Sequence, residues 1–165
     1  MKKNPNPDLL VIGYGNTLRS DDGVGPKVAE AVEALHWSGV RTLVCQQLSP
    51  EHADPISKSC TVIFVDAAVD APEQVQFRKL EPNGSSQLMA HAADPRTMLA
   101  LARDVFGHSP EAWWLTIPAV QLDFGEKFSP TTEAGFHEAL RHIQSLAKQF
   151  RQTDDKKREV VANFR

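Results

Sequence analysis

A chain of 165 residues fits one domain of ordinary size, long enough to bury a core without disulfide or metal staples. With 41% hydrophobic and 24% charged residues and a formal net charge of −3, its composition excludes a disordered chain and offers no electrostatic footprint for nucleic acid. Cys45 and Cys60, the only cysteines, lie in apolar strand-like runs without the spacing of a zinc or redox pair, so they are expected to be reduced, buried and structural.

The segment Met1–Asp8 carries two lysines and an Asn-Pro-Asn-Pro run, and the apolar stretch that follows it is too short for a signal sequence or a membrane span. The cytoplasm is therefore the expected compartment. Leu9–Ile12, ended by Gly13 and Gly15, reads as a buried strand running into a sharp loop. From Gly25-Pro26, the apolar positions Val28, Ala29, Val32 and Leu35 recur at helical spacing. Val40–Cys45 reads as a second strand, and Ser49-Pro50-Glu51 opens a short helix cut or kinked by Pro55. Thr61–Val65, rich in β-branched residues, is the clearest strand and ends at Asp66.

Val75–Leu80 alternates apolar and polar residues between prolines, as an edge strand with one solvated face does. Asn83–Ser86 is a loop. Asp94-Pro95 supplies an N-cap and a first-turn proline for a helix bearing Met98, Leu99, Leu101, Ala102, Val105 and Phe106, with His91 just ahead of it. Trp113–Ile117 is another strand, in which alternation places one of Trp113 and Trp114 in the core and leaves the other free to face solvent. Ser129-Pro130 caps a long helix with Phe136, Leu140, Ile143 and Ala147 on one stripe. Residues 1–150 are thus expected to form a single α/β domain, and 151–165 a charged, frayed tail. Alternating strands and helices imply a three-layer α/β/α sandwich: a mostly parallel twisted sheet with helices on both faces and ligands outside the carboxyl ends of its strands.

That rule draws attention to Asp21 and Asp22 after the first strand, Asp66 at the end of the central one, and His91 before a helix. Two carboxylates and an imidazole suit a divalent first-row metal with positions left open. Each residue taken singly also suits a plainer role: Asp22 as an N-cap, Asp66 as a strand-end turn residue, His91 as a loop histidine. Gly13-Tyr14-Gly15-Asn16-Thr17-Leu18 lacks the third glycine of a dinucleotide fingerprint, and Glu33, about 20 positions on, falls inside a helix, so the glycines mark a close backbone approach instead. No Gly-x-Ser-x-Gly, phosphate-loop lysine or His-Glu-x-x-His motif is present, and His36, His52, His108, His137 and His142 are expected at the surface.

The block Gly13-Tyr14-Gly15-Asn16-Thr17-Leu18-Arg19-Ser20-Asp21-Asp22-Gly23-Val24-Gly25 resembles the opening motif of the nickel–iron hydrogenase maturation proteases. Gln47–Glu51, Val65-Asp66-Ala67, His91 with Met98–Ala102, Leu115–Pro118 and Phe128–Pro130 resemble later segments of that family in the same order, from Leu9 to about Phe150. The resemblance places the family's two acids on Asp22 and Asp66 and its histidine on His91, although many members carry glutamate where Asp22 stands. It implies an endopeptidase that cuts one bond near the C-terminus of the hydrogenase large-subunit precursor. Nickel would arrive with the precursor, no organic cofactor would be needed, and a monomer without nucleic-acid or membrane partners is the default. A non-catalytic assembly factor binding the loaded precursor is the alternative from another class, and a small nucleotide-binding module is a third.

Overall fold

The run Thr61–Val65 occupies the middle of the sheet, where its β-branched and aromatic side chains are buried on both faces. The computed structural model describes residues 9–70, 73–84 and 94–163. Its strands are β1 (Leu9–Tyr14), β2 (Val40–Cys45), β3 (Thr61–Ala68), β4 (Gln76–Leu80) and β5 (Glu111–Pro118). They lie in the order β2-β1-β3-β5-β4, all parallel except β4, which pairs antiparallel with β5 at one edge. The alternating segment of residues 75–80 is thus the edge strand its pattern predicts.

The helices are α1 (Val24–Ala34), α2 (Ala53–Ser57), α3 (Pro95–Phe106) and α4 (Pro130–Asn163). Val28, Ala29 and Val32 of α1 and Ala139, Ile143 and Ala147 of α4 pack on Leu9, Val11, Ile63, Val65, Leu115 and Ile117. On the opposite face Ala53 and Ile56 of α2 and Met98, Leu99 and Ala102 of α3 pack on Leu10, Ile12, Val62 and Phe64. This is the expected three-layer sandwich, and burying each large aliphatic side chain in it stabilises the fold by roughly 1.5–3 kcal/mol. α1 sits tight on the sheet because Gly13 faces Gly25: a Cβ on Gly25 would run into the carbonyls of Val65 and Tyr14. The two glycines therefore seat a helix against a sheet.

Four expectations need correction. Cys60 is exposed and Cys45 only half-buried, since both stand at strand borders rather than inside the buried runs. His52 is buried, because its ring Nδ1 accepts from the Ser49 backbone N–H at 2.9 Å and closes a capping box on the turn Pro50–His52. Trp113 and Trp114 are both partly buried, Trp113 stacked on Phe77 and Trp114 beneath the Arg78 guanidinium. Finally, α4 continues through the charged segment to Asn163, so residues 151–163 are helical.

Candidate functional site at the carboxyl edge of the sheet

The loop after β1 folds back on itself. Gly15 N–H donates to the Cys45 carbonyl, Asn16 Oδ1 accepts from Leu18 N–H, and Arg19 N–H returns to the Asn16 carbonyl. The chain then enters a 3-10 turn, Ser20–Gly23, that presents two successive aspartates in different directions.

Asp21 points into the protein and is fully buried. Its carboxylate accepts from the backbone N–H groups of Val120 (2.9 Å), Gln121 (2.8 Å) and Ser129 (2.7 Å) and from the Ser129 hydroxyl (2.8 Å). Burial alone disfavours its charge, but these donors outweigh burial and hold its pKa below the ordinary carboxylate value. Ser20 N–H and Gly125 N–H, donating to the Gly125 and Leu18 carbonyls, close the same latch between this turn and the loop that follows β5. Asp21 is therefore a clamp.

Asp22 turns the other way. One oxygen accepts from Asn16 N–H at 2.8 Å; among the described residues the other accepts no hydrogen bond. It lies in electrostatic reach of Asp66 on the neighbouring strand β3, which does not end at Asp66 as its sequence suggests but continues to Ala68, so that Asp66 stands near rather than at the strand's carboxyl end. Burial pushes the Asp66 carboxyl up. The Tyr14 hydroxyl acts against this, the Asp22 charge adds to it and the Ala67 backbone N–H opposes it, leaving a pKa of about 6. The two acids thus lie within electrostatic reach of each other where an open α/β sheet places ligands. A cleft of about 440 Å³ beside Gly15, Asn16, Leu18, Val44 and Cys45 flanks this edge on one side. One of about 660 Å³ beside Val69, Asp70, Pro118 and Val120 flanks it on the other. The Cys45 thiol, pushed up to about 11 by burial and then by Glu51, stays protonated and offers neither a thiolate ligand nor a nucleophile.

His91, the third residue of the expected set, lies outside the described residues. Among the described residues no group of three or more histidine, cysteine or acidic side chains is placed to hold a metal, so Asp22 and Asp66 supply two hard oxygen donors and no complete shell. The chain reaches this edge again at Asp94, whose side chain caps α3 by accepting from Arg96 N–H at 2.8 Å and whose charge is felt at Tyr14. Tyr14 and Trp114, which flank Asp66, were not singled out as site residues from sequence. Counting alternate positions from Leu10 and Ile12, and aligning β1 with β3, would have revealed that Tyr14 sits beside Asp66.

No family model matches the chain. A hydrogenase expression/formation protein, HupD of Thiocapsa roseopersicina, is 24% identical over 155 residues, spanning 88% of this chain and 70% of the relative. The solved hydrogenase maturating endopeptidase HybD from E. coli superposes with a TM-score of 0.68 at 21% identity, covering 86% of this chain and 92% of its own. The chain resembles the hydrogenase maturation proteases. A [NiFe] hydrogenase maturation protease, HycI from Thermococcus kodakarensis, gives the same TM-score of 0.68 at 20% identity over 87% of this chain and 94% of that one. At such identities the likeness to these maturation proteases establishes the α/β fold. No described helix is long and apolar enough to cross a membrane.

Proposed function

We infer that this protein is an endopeptidase that removes the C-terminal extension of a nickel–iron hydrogenase large-subunit precursor after nickel insertion, with the inserted nickel as its recognition element. The observation that carries the reading is the placement of the Asp22 and Asp66 carboxylates within electrostatic reach of each other at the carboxyl edge of a sheet with the maturation-protease fold. Nickel belongs to the substrate here. Asp22 and Asp66, with His91 as the third ligand, offer two hard oxygens and one nitrogen and no thiolate, so the protein alone holds such an ion weakly. Thiolates of the precursor supply the soft ligands, which makes the docked pair a better site than either half.

Asp66 is suited to more than ligation. Before the metal docks, a carboxyl held near pKa 6 exchanges protons close to neutral pH, as an acid or base acting on an amide must. Docking also sets the geometry, because a bond next to the metal is brought beside a fixed acid rather than found by diffusion. The protein acts in the cytoplasm as a monomer, and a net charge of −3 favours neither nucleic acid nor an anionic membrane. The test is to incubate nickel-loaded precursor with the wild-type chain and with Asp22→Ala, Asp66→Ala and His91→Ala. Release of a discrete C-terminal peptide by the wild type, reduced at least about 100-fold in each variant, is expected for groups acting at the reacting centre. A stable complex without cleavage would instead support the assembly-factor reading.

A further inference from the structure

The strand register sets three side chains together on the α2/α3 face of the sheet. β1 and β3 pair in parallel from Leu9 with Thr61 to Gly13 with Val65, which brings Tyr14, one step on, level with Asp66. β3 and β5 pair Phe64 with Trp114 and Asp66 with Thr116, so Trp114 is the diagonal neighbour of Asp66. Aromatic side chains reach across both spacings. Tyr14 is only 9% exposed, and among the described residues its buried hydroxyl has no hydrogen-bond partner; the same holds for the indole nitrogen of Trp114. Both groups nevertheless lie within interaction range, Tyr14 Oη of the Asp66 carboxylate and Trp114 Nε1 of Tyr14 Oη.

Buried donors without acceptors are rare in folded proteins, and two side by side next to a buried acid are a strong sign of use. Core packing at position 14 would be served equally well by phenylalanine, as the apolar neighbours Leu10, Ile12 and Phe64 indicate.

We propose that Tyr14 is the positioning residue of Asp66: its hydroxyl, backed by the Trp114 indole N–H, donates to one carboxylate oxygen and aims the other at the rim shared with Asp22. The direction of donation is fixed. Trp114 can only donate, so Tyr14 Oη accepts from it; of the two described carboxylates whose charge reaches Tyr14, Asp66 and Asp94, Asp94 caps α3 and Asp66 stands level with Tyr14 in the strand register, so the phenol proton goes to Asp66. Tyr14 Oη already stands within interaction range of the Asp66 carboxylate, and a small adjustment of either side chain closes the bond. This role presupposes the endopeptidase reading.

The chain has a single tyrosine, so tyrosine labelled at the ζ-carbon gives one NMR signal, from Tyr14. In the full-length protein that signal is expected to move on Asp66→Asn, on Trp114→Phe and on titration with zinc. Tyr14→Phe, which removes one oxygen and keeps the ring, is expected to lower kcat on nickel-loaded precursor by about 10- to 100-fold, what a hydrogen bond to a charged group contributes. KM and thermal midpoint are expected to stay near wild type, and a smaller loss is expected for Trp114→Phe. Wild-type kcat in Tyr14→Phe, or a fall in kcat matched by a lost thermal midpoint, would overturn the positioning role. If the wild-type chain released no peptide, the endopeptidase reading would fail by itself. The NMR signal would then decide: unmoved by both Asp66→Asn and zinc, it refutes the Tyr14–Asp66 coupling, and moved by both, it upholds the coupling.

Discussion

Replacing Asp21 by alanine would separate the clamp from the site more sharply than any other change. The substitution strips the acceptor from four donors at once. Val120 and Gln121 are exposed, so their N–H groups can turn to water at little cost. Ser129 is buried: its N–H is left unsatisfied, at about 1–3 kcal/mol, and its hydroxyl exchanges a charged acceptor at 2.8 Å for the weaker Thr132 Oγ1 at 3.2 Å, at about 1 kcal/mol more. The Ser129 hydroxyl also accepts from Thr132 N–H at 3.3 Å at the start of α4, so the damage spreads to that helix terminus. A net loss of about 3 kcal/mol follows, or roughly 6–12 °C in thermal midpoint for a domain of this size. Asp22→Ala removes only a half-exposed carboxylate with a single backbone donor, Asn16 N–H, and is expected to cost about 1 kcal/mol or less. Urea titrations of the two variants, read at unchanged m-value, check both figures. An Asp21→Ala protein within about 1 kcal/mol of wild type would show that the latch between the Ser20–Gly23 turn and the loop after β5 contributes little, and the reasoning would fall.

Three further outcomes follow from the same geometry. Asp66 has its folded pKa raised from 3.8 to about 6, so its contribution to stability is fully present below pH 4 and is lost as pH rises through about 6; unfolding titrations of the metal-free protein should show a decline of at most about 3 kcal/mol across that window, absent in Asp66→Asn. Gly25→Ala sets a Cβ against the Val65 and Tyr14 carbonyls, which only a shift of α1 can relieve; a loss of about 3 kcal/mol or more is expected by calorimetry, and a wild-type midpoint would contradict the close approach. His52→Ala breaks the capping box with Ser49, for an expected loss of about 1 kcal/mol read by urea unfolding, without effect on the Asp22–Asp66 pair.

The fold was legible because each element carries its own local signal. Thr61–Val65 is β-branched and flanked by breakers, Asp94-Pro95 announces α3, and the stripe from Phe136 to Ala147 fixes the inner face of α4. Less legible were features that depend on partners distant in sequence. Nothing adjacent to Asp21 and Asp22 distinguishes clamp from site, because the four donors that settle the matter stand about 100 residues away, around Val120 and Ser129. His52 looked like a surface histidine until its ring found the Ser49 N–H. Tyr14 was hidden in a motif whose glycines drew the attention, and its chemistry emerges only once β1 is set in register against β3.

The central claim is that two acids of this chain read a metal that the partner brings. It is tested most directly by offering nickel-loaded and nickel-free large-subunit precursor to the metal-stripped protein and measuring release of the C-terminal peptide by mass spectrometry. Cleavage of the loaded precursor alone, abolished in Asp66→Ala, is the predicted result. Equal cleavage of both precursors, or full activity in Asp66→Ala, would contradict it.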